Sequence, residues 1–179
     1  MGLFKPNDYY VSVLDIDPKQ LKAQGYKGLI LDLDNTILPR TTYTVPANLK
    51  AWVMSVKEAG LKACFLSNNW HERVVNNAKD LDIPLVGRAV KPLIHGFIIA
   101  KKRLGLKRNE ILVIGDQTYT DILGAHLAGL KAYLVMPLSS QDLWHTKLLR
   151  KMDKFFLRNL TPKGGSPAFI ADKDDPALL

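Results

Sequence analysis

The chain has 179 residues, 47% of them hydrophobic, and a formal net charge of +8 at neutral pH. That length and apolar content suit one compact domain with a well-buried core. The single cysteine, Cys64, excludes an internal disulfide and fits a reducing compartment, and no apolar run approaches the ~18 residues needed to span a bilayer. The first residues, Met1 to Pro6, lack the apolar stretch of a secretory signal, and Pro6 stands where a myristoylation site wants Ser or Thr. The basic surplus is compatible with anionic lipid, nucleic acid or simple solubility. No aromatic–basic recognition motif or zinc-ligand spacing supports nucleic acid, so no nucleic-acid partner is expected. The chain reads as soluble or peripheral, on the cytoplasmic side, with its oligomeric state open.

Residues 1–27 carry scattered apolar positions (Tyr9, Tyr10, Val11, Val13, Leu14, Ile16, Leu21) and read as an ordered lead-in packed on the domain. Leu29-Ile30-Leu31 then runs into Asp32 as a buried strand. Residues 46–59 place Leu49, Trp52, Val53 and Val56 at helical spacing, and Gly60 ends the helix. A second strand is predicted over 61–67; it buries Cys64, which reads as a packing residue rather than a nucleophile. A helix follows over 70–81, then a short strand over 84–86. Pro92 is predicted to open a helix running to Leu104. Residues 110–115 form the next strand, 120–128 a helix closed by Gly129, and 131–135 a last strand. Strands alternating with helices imply a parallel sheet covered on both faces.

Two of the strands stop at an aspartate. Asp32 and Asp116 are 84 residues apart in sequence, yet each ends an apolar run. Ligands of parallel sheets collect outside the carboxyl ends of the strands. Adjacent strand ends would therefore bring Asp32, Asp34 and Asp116 to one small volume. Three carboxylates do not stay ionised together easily without a cation, and hard oxygen ligands favour Mg²⁺ over Zn²⁺. The spacing Asp32-Leu33-Asp34 puts both carboxylates on one side of an extended chain.

Four motifs in order resemble the haloacid dehalogenase superfamily of phosphatases: Asp32-Leu33-Asp34-Asn35-Thr36; Ser67 after Ala63-Cys64-Phe65-Leu66; Lys91-Pro92; and Gly115-Asp116-Gln117 with Thr120-Asp121. The resemblance implies a single Rossmann-like core and a Mg²⁺-dependent phosphomonoesterase that works through an aspartyl-phosphate. Asp32 would be the nucleophile and Asp34 the acid–base. Ser67 and Lys91 would bind the phosphoryl oxygens, with help from Asn68. Asp32, the backbone carbonyl of Asp34 and Asp116 would hold the metal. Thr36 supports this site, and Asp121 would orient a metal-bound water or accept from Lys91. Nine residues separate Thr36 from Pro46 and 23 separate Ser67 from Lys91, too few in either place for the cap domain that the superfamily inserts there. The site should therefore be open.

The stretches DYYVSVLDIDPKQL, KGLILDLDNTILPR, LSNN, GRAVKP and GDQTYTDILGAHLAG narrow the likeness to the capless class IIIA branch and its YqeG-type family. Similar families include enzymes that dephosphorylate phosphatidylglycerophosphate to phosphatidylglycerol, which implies a phosphorylated lipid substrate at an anionic phospholipid membrane surface. A soluble sugar phosphate, a nucleotide, or a non-enzymatic role in docking a phosphorylated partner remain alternatives. Residues 141–160 carry Trp144, Leu148, Leu149, Met152, Phe155 and Phe156 at helical steps, interleaved with Lys147, Arg150, Lys151, Lys154 and Arg158. This is a basic amphipathic helix, fit either for an anionic interface or for docking on the core. The domain is expected over 1–162, and 163–179 as a turn-rich mobile tail.

Overall fold

A computed structural model of the chain describes residues 2–139, 156–158 and 160–165. The strands are β1 (Asp8–Tyr10), β2 (Gly28–Leu31), β3 (Lys62–Leu66), β4 (Leu85–Val86), β5 (Ile111–Gly115) and β6 (Lys131–Val135). The helices are α1 (Pro18–Ala23), α2 (Ala47–Glu58), α3 (Glu72–Asp80), α4 (Ile94–Leu104) and α5 (Leu123–Leu127). All six strands pair in parallel in the order β1-β6-β5-β2-β3-β4. The expected α/β class with a parallel sheet flanked by helices is what forms.

Strand alternation splits the core into two layers. Leu29, Leu31, Phe65, Leu112, Ile114, Tyr133 and Val135 point to one face, where they meet Leu21 of α1, Leu49, Trp52, Val53 and Val56 of α2, and Val74 and Ala78 of α3. Ile30, Cys64, Leu66, Ile111, Val113, Ala132 and Leu134 point to the other, against Phe97, Ala100 and Leu104 of α4 and Ala125 of α5. Both faces are covered, which is why these strands read as continuous apolar runs. Cys64 is fully buried, and burial pushes its thiol up to about 11, as suits a packing residue.

The gaps from Thr36 to Pro46 and from Ser67 to Lys91 lie wholly within the described residues, and neither holds a cap domain. The first is a loop; the second is used by α3 and β4.

Some local expectations are corrected. The lead-in contains a strand, β1, paired with β6 at the far end of the chain. It also contains α1, capped by the Asp17 side chain on the Lys19 amide with Pro18 at its first position. Pro92 does not open α4: the Lys91–Pro92 peptide is cis, a turn follows, and the helix starts at Ile94. The helix expected over 120–128 begins as a π-helical turn, Thr118–Ile122, before α5. The boundary at residue 162 also shifts. The Lys163 amide donates to the Tyr9 carbonyl and its own carbonyl accepts from Val11, so the start of the predicted tail lies along β1. Most of the predicted amphipathic helix over 141–160 lies outside the described residues. At its described end, Phe156 stacks on Phe4 with ring centroids 4.3 Å apart, and Leu157 packs on the α4–α5 layer.

Candidate active site

The site grows from the end of the central strand. The Asp32 amide donates to the Ile114 carbonyl, extending the β2–β5 ladder by one step past Leu31. The alternation persists beyond the strand: Leu33 is buried in the core, while Asp32 and Asp34 line a cavity of about 500 Å³. Asn35 then takes a left-handed backbone, φ +67°, which Asn tolerates better than most residues. Its buried amide is bonded to the backbone of Ser139, and Leu138 donates to its carbonyl. The turn returns Thr36 to the site, where its hydroxyl donates to Asp32 Oδ2 at 3.1 Å.

Lys91 comes from the loop after β4. Its Nζ donates to Asp32 Oδ1 at 2.5 Å and to Asp121 Oδ1 at 2.6 Å, and its side chain is almost completely buried. Asn68 holds this loop at both ends of one residue, accepting from the Lys91 amide and donating to the Lys91 carbonyl. Its side chain is thus engaged with backbone, and it positions Lys91 in this structure. Asp116 follows β5 directly. Asp121 sits in the π turn, where the Gln117 amide donates to its Oδ2. A Cβ on Gly115 would fall 2.4 Å from Asp121 Cγ, so this strand end has to be glycine for Asp121 to close on Lys91.

One carboxylate oxygen from each of Asp32, Asp116 and Asp121 lies within 4.8 Å of the others. All three are buried. Neither oxygen of Asp116 has a hydrogen-bond partner among the described residues. Burial raises Asp32 to about 7, against the opposing pull of Lys91, and the charges of Asp121 and Asp34 push it further up. Burial, with the charges of Asp32 and Asp121, holds Asp116 well above the ordinary carboxylate range. For Lys91, burial works to lower the ammonium, but Asp121 and Asp32 outweigh it and the net direction is up. The Lys91 ammonium bonds two of the three carboxylates, and neither oxygen of Asp116 has a hydrogen-bond partner among the described residues. An all-oxygen set with an orphaned carboxylate fits a hard divalent cation.

The raised carboxyls hold protons in the folded state that an unfolded chain releases at about pH 4. Stability without metal therefore falls as pH rises from there to about 7, where Asp32 ionises. A cation that binds the ionised carboxylates offsets this loss by mass action. The rise in melting temperature caused by millimolar Mg²⁺ should be clearly larger near pH 8 than near pH 5. Differential scanning fluorimetry at the two pH values measures it, and equal shifts would contradict the assignment.

Asp34 belongs to a different part of the pocket. Its Oδ2 accepts from Ser67 Oγ at 2.9 Å, and its Oδ1 accepts from Arg73 Nη2 at 3.0 Å. Its carboxylate is therefore not in the acidic trio, and only its backbone carbonyl remains for a metal. Ser67, at the end of β3, also accepts from the Asn69 amide. Arg73 is the residue that sequence reasoning missed. Arg40 and Trp70 line the same cavity, and the Arg88 guanidinium lies 4.3 Å from the centre of the Trp70 ring.

A parallel sheet with Asp32, Asp34, Lys91 and Asp116 at its strand ends defines a hydrolase of the haloacid dehalogenase type, and comparison with known proteins agrees. A family model described as HAD-hydrolase-like matches residues 89–160. The chain is 35% identical over 161 residues to the probable phosphatase YqeG of Bacillus subtilis, covering 90% of this chain and 94% of that protein. It is 26% identical to the chloroplastic phosphatidylglycerophosphate phosphatase 1 of Chlamydomonas reinhardtii, covering 85% of this chain but 60% of that longer protein. Among solved structures, the cobalt-bound deoxy-D-mannose-octulosonate 8-phosphate phosphatase of Haemophilus influenzae shares the fold. Its TM-score is 0.53 at 14% identity, over 76% of this chain and 90% of that one. The chain belongs to the YqeG family of haloacid dehalogenase-type phosphatases.

Proposed function

We propose that the chain is a Mg²⁺-dependent phosphomonoesterase that works through an aspartyl-phosphate on Asp32, with phosphatidylglycerophosphate as its substrate. The observation that carries the reaction is the pair Asp32 and Asp34. They face one open cavity from the end of the central strand, one bound to Lys91 and the other held by Ser67 and Arg73. An Asp32 oxygen attacks phosphorus, and the bond from phosphorus to the ester oxygen breaks. Asp34 gives that leaving oxygen a proton. Water then attacks the acyl phosphate, Asp34 takes the water's proton, and inorganic phosphate leaves Asp32 as a free carboxylate. Lys91 and the Ser67 hydroxyl meet the phosphoryl oxygens as charge spreads over them. Mg²⁺ would be held by Asp32, Asp116 and the Asp34 carbonyl, with Asp121 beside them, and would supply charge neutralisation for the phosphoryl group.

The lipid substrate is supported by two things. The curated relatives include phosphatidylglycerophosphate phosphatases. Neither gap holds a cap domain, and exposed apolar side chains stand at Trp70 (52% exposed), which lines the cavity, and on either side of Lys91-Pro92, at Val90 (60%), Leu93 (61%) and Ile94 (44%). Such a collar suits a headgroup presented in a membrane better than a substrate that must be enclosed. Arg88 and the chain's net charge of +8 favour an anionic surface.

The test is a side-by-side panel of phosphatidylglycerophosphate in mixed micelles, sugar phosphates and nucleotides, with Mg²⁺ or chelator. The lipid is expected to be the best substrate, and chelator to stop turnover. The double variant Leu93→Ser, Ile94→Ser should lose about 100-fold or more in activity on vesicle-borne lipid, because two apolar anchors of ~1.5–3 kcal/mol each are removed from the interface. It should keep its activity on a soluble ester. A preference for a sugar phosphate or nucleotide would replace the substrate assignment. An unaltered double variant would remove the collar's role.

A further inference from the structure

We propose that Arg73 is the positioning residue of the acid–base carboxylate Asp34, and that through it the loop of residues 39–45 becomes part of the catalytic geometry. This rests on the reading of Asp34 as the group that protonates the leaving oxygen.

Arg73 is the second residue of α3 and lines the same cavity as Lys91. Its side chain is only 21% exposed although it is charged. The guanidinium makes three bonds. Nη2 donates to Asp34 Oδ1 at 3.0 Å, and Nη1 donates to the carbonyls of Pro39 at 2.8 Å and Thr42 at 2.7 Å. One turn later on the same helix, Asn77 donates to the Tyr43 carbonyl at 2.7 Å and accepts from the Val45 amide at 2.9 Å. Arg73 and Asn77 thus strap one loop to one helix, but only Arg73 also reaches the site.

The consequence is in the Asp34 carboxylate. Ser67 Oγ takes one of its oxygens from the end of β3, and Arg73 takes the other from α3. Two donors on opposite oxygens fix both torsions of a short side chain. If phosphate binding draws the Ser67 hydroxyl to a phosphoryl oxygen, Arg73 is the contact that still holds Asp34. A planar fork with donors fixed in one plane can meet a carboxylate and two carbonyls together, which a single ammonium cannot reproduce. Asp34 must meet a leaving oxygen at hydrogen-bond distance, and an error near 1 Å costs about 100-fold in rate.

The test compares Arg73→Met, Arg73→Lys, Asn77→Ala and Asp34→Asn on monophosphate esters of graded leaving-group acidity, from p-nitrophenyl phosphate through phenyl and trifluoroethyl phosphate to glycerol 3-phosphate. A nitrophenolate leaves with little help from a proton, whereas an alkoxide needs one. Arg73→Met should lose about 100-fold in kcat on the alkyl ester and less than about tenfold on the nitrophenyl ester, with little change in KM. Arg73→Lys should fall between, and added guanidinium should partly rescue Arg73→Met. Asn77→Ala loosens the same loop and should lower all esters evenly.

A uniform loss in Arg73→Met, matching that of Asn77→Ala, would make Arg73 a structural strap and overturn the proposal. If the Met variant does not fold, the leaving-group slope of Arg73→Lys decides by the same criterion. Asp34→Asn separates the two levels. A steep leaving-group dependence there, with none in the Arg73 variants, overturns the role of Arg73 alone. No such dependence in Asp34→Asn overturns the acid–base reading and this proposal with it.

Discussion

Asp32→Asn should abolish phosphomonoester hydrolysis, by about 10⁴-fold or more, because the amide cannot form the covalent intermediate that divides the reaction. The same substitution should leave the fold intact and the metal-free protein at least as stable as the parent. The Asp32 carboxyl is almost wholly buried, and burial has already raised it to about 7, so ionising it there is unfavourable. An amide of the same shape carries no such penalty, and its oxygen can still accept from Lys91. Turnover assays with thermal melts in chelator give both readings. Retention of most activity would remove Asp32 as the nucleophile, and a large fall in melting temperature would remove the account of its burial.

Lys91→Met should move stability in the opposite direction. The ammonium is bonded to Asp32 and Asp121, and all three side chains are almost completely buried. Deleting one partner of a buried ion pair typically costs about 3–5 kcal/mol, since the remaining charges lose their compensation. Here the three buried carboxylates would lose the ammonium that bonds two of them. The metal-free variant should melt well below the parent, and Mg²⁺ should recover more of that loss than it adds to the parent. Catalysis should fall about 10²–10³-fold, the usual effect of removing one fixed donor from developing charge. The two changes share a contact, so Asp32→Asn with Lys91→Met should deviate from additivity. Strict additivity would show that the short contact between them carries little energy.

The sequence and the structure part company where contacts are long-range or made to backbone. The apolar runs that end at Asp32, Ser67 and Asp116 were legible because burial on both faces leaves no room for polar alternation. The resemblance to the phosphatase motifs then located Lys91 and Asp121. Arg73 was not legible: it sits in a helix as one charged residue among several, and two of its three bonds go to carbonyls that no side-chain pattern records. Nothing in the sequence reveals that the Asn68 side chain bonds both the amide and the carbonyl of Lys91. The strand β1 is three residues long and pairs across the whole domain, so neither periodicity nor neighbours announce it. By contrast, the Asp17-Pro18 start of α1 is a cap signal readable in the sequence.

The short edges of the sheet bear on how copies of this protein behave at high concentration. Open strand edges are templates for the addition of foreign strands. At one end β4 is two residues long. At the other, β1 has its outer side taken by the segment at Lys163, whose ammonium pairs with Asp8 and lies over the Tyr10 ring. A lysine at a sheet edge is itself a deterrent to pairing. The residues around Lys163 thus work as a guard rail: shortening the chain ahead of residue 160 would uncover β1 and invite intermolecular strand pairing, with the catalytic strand ends untouched.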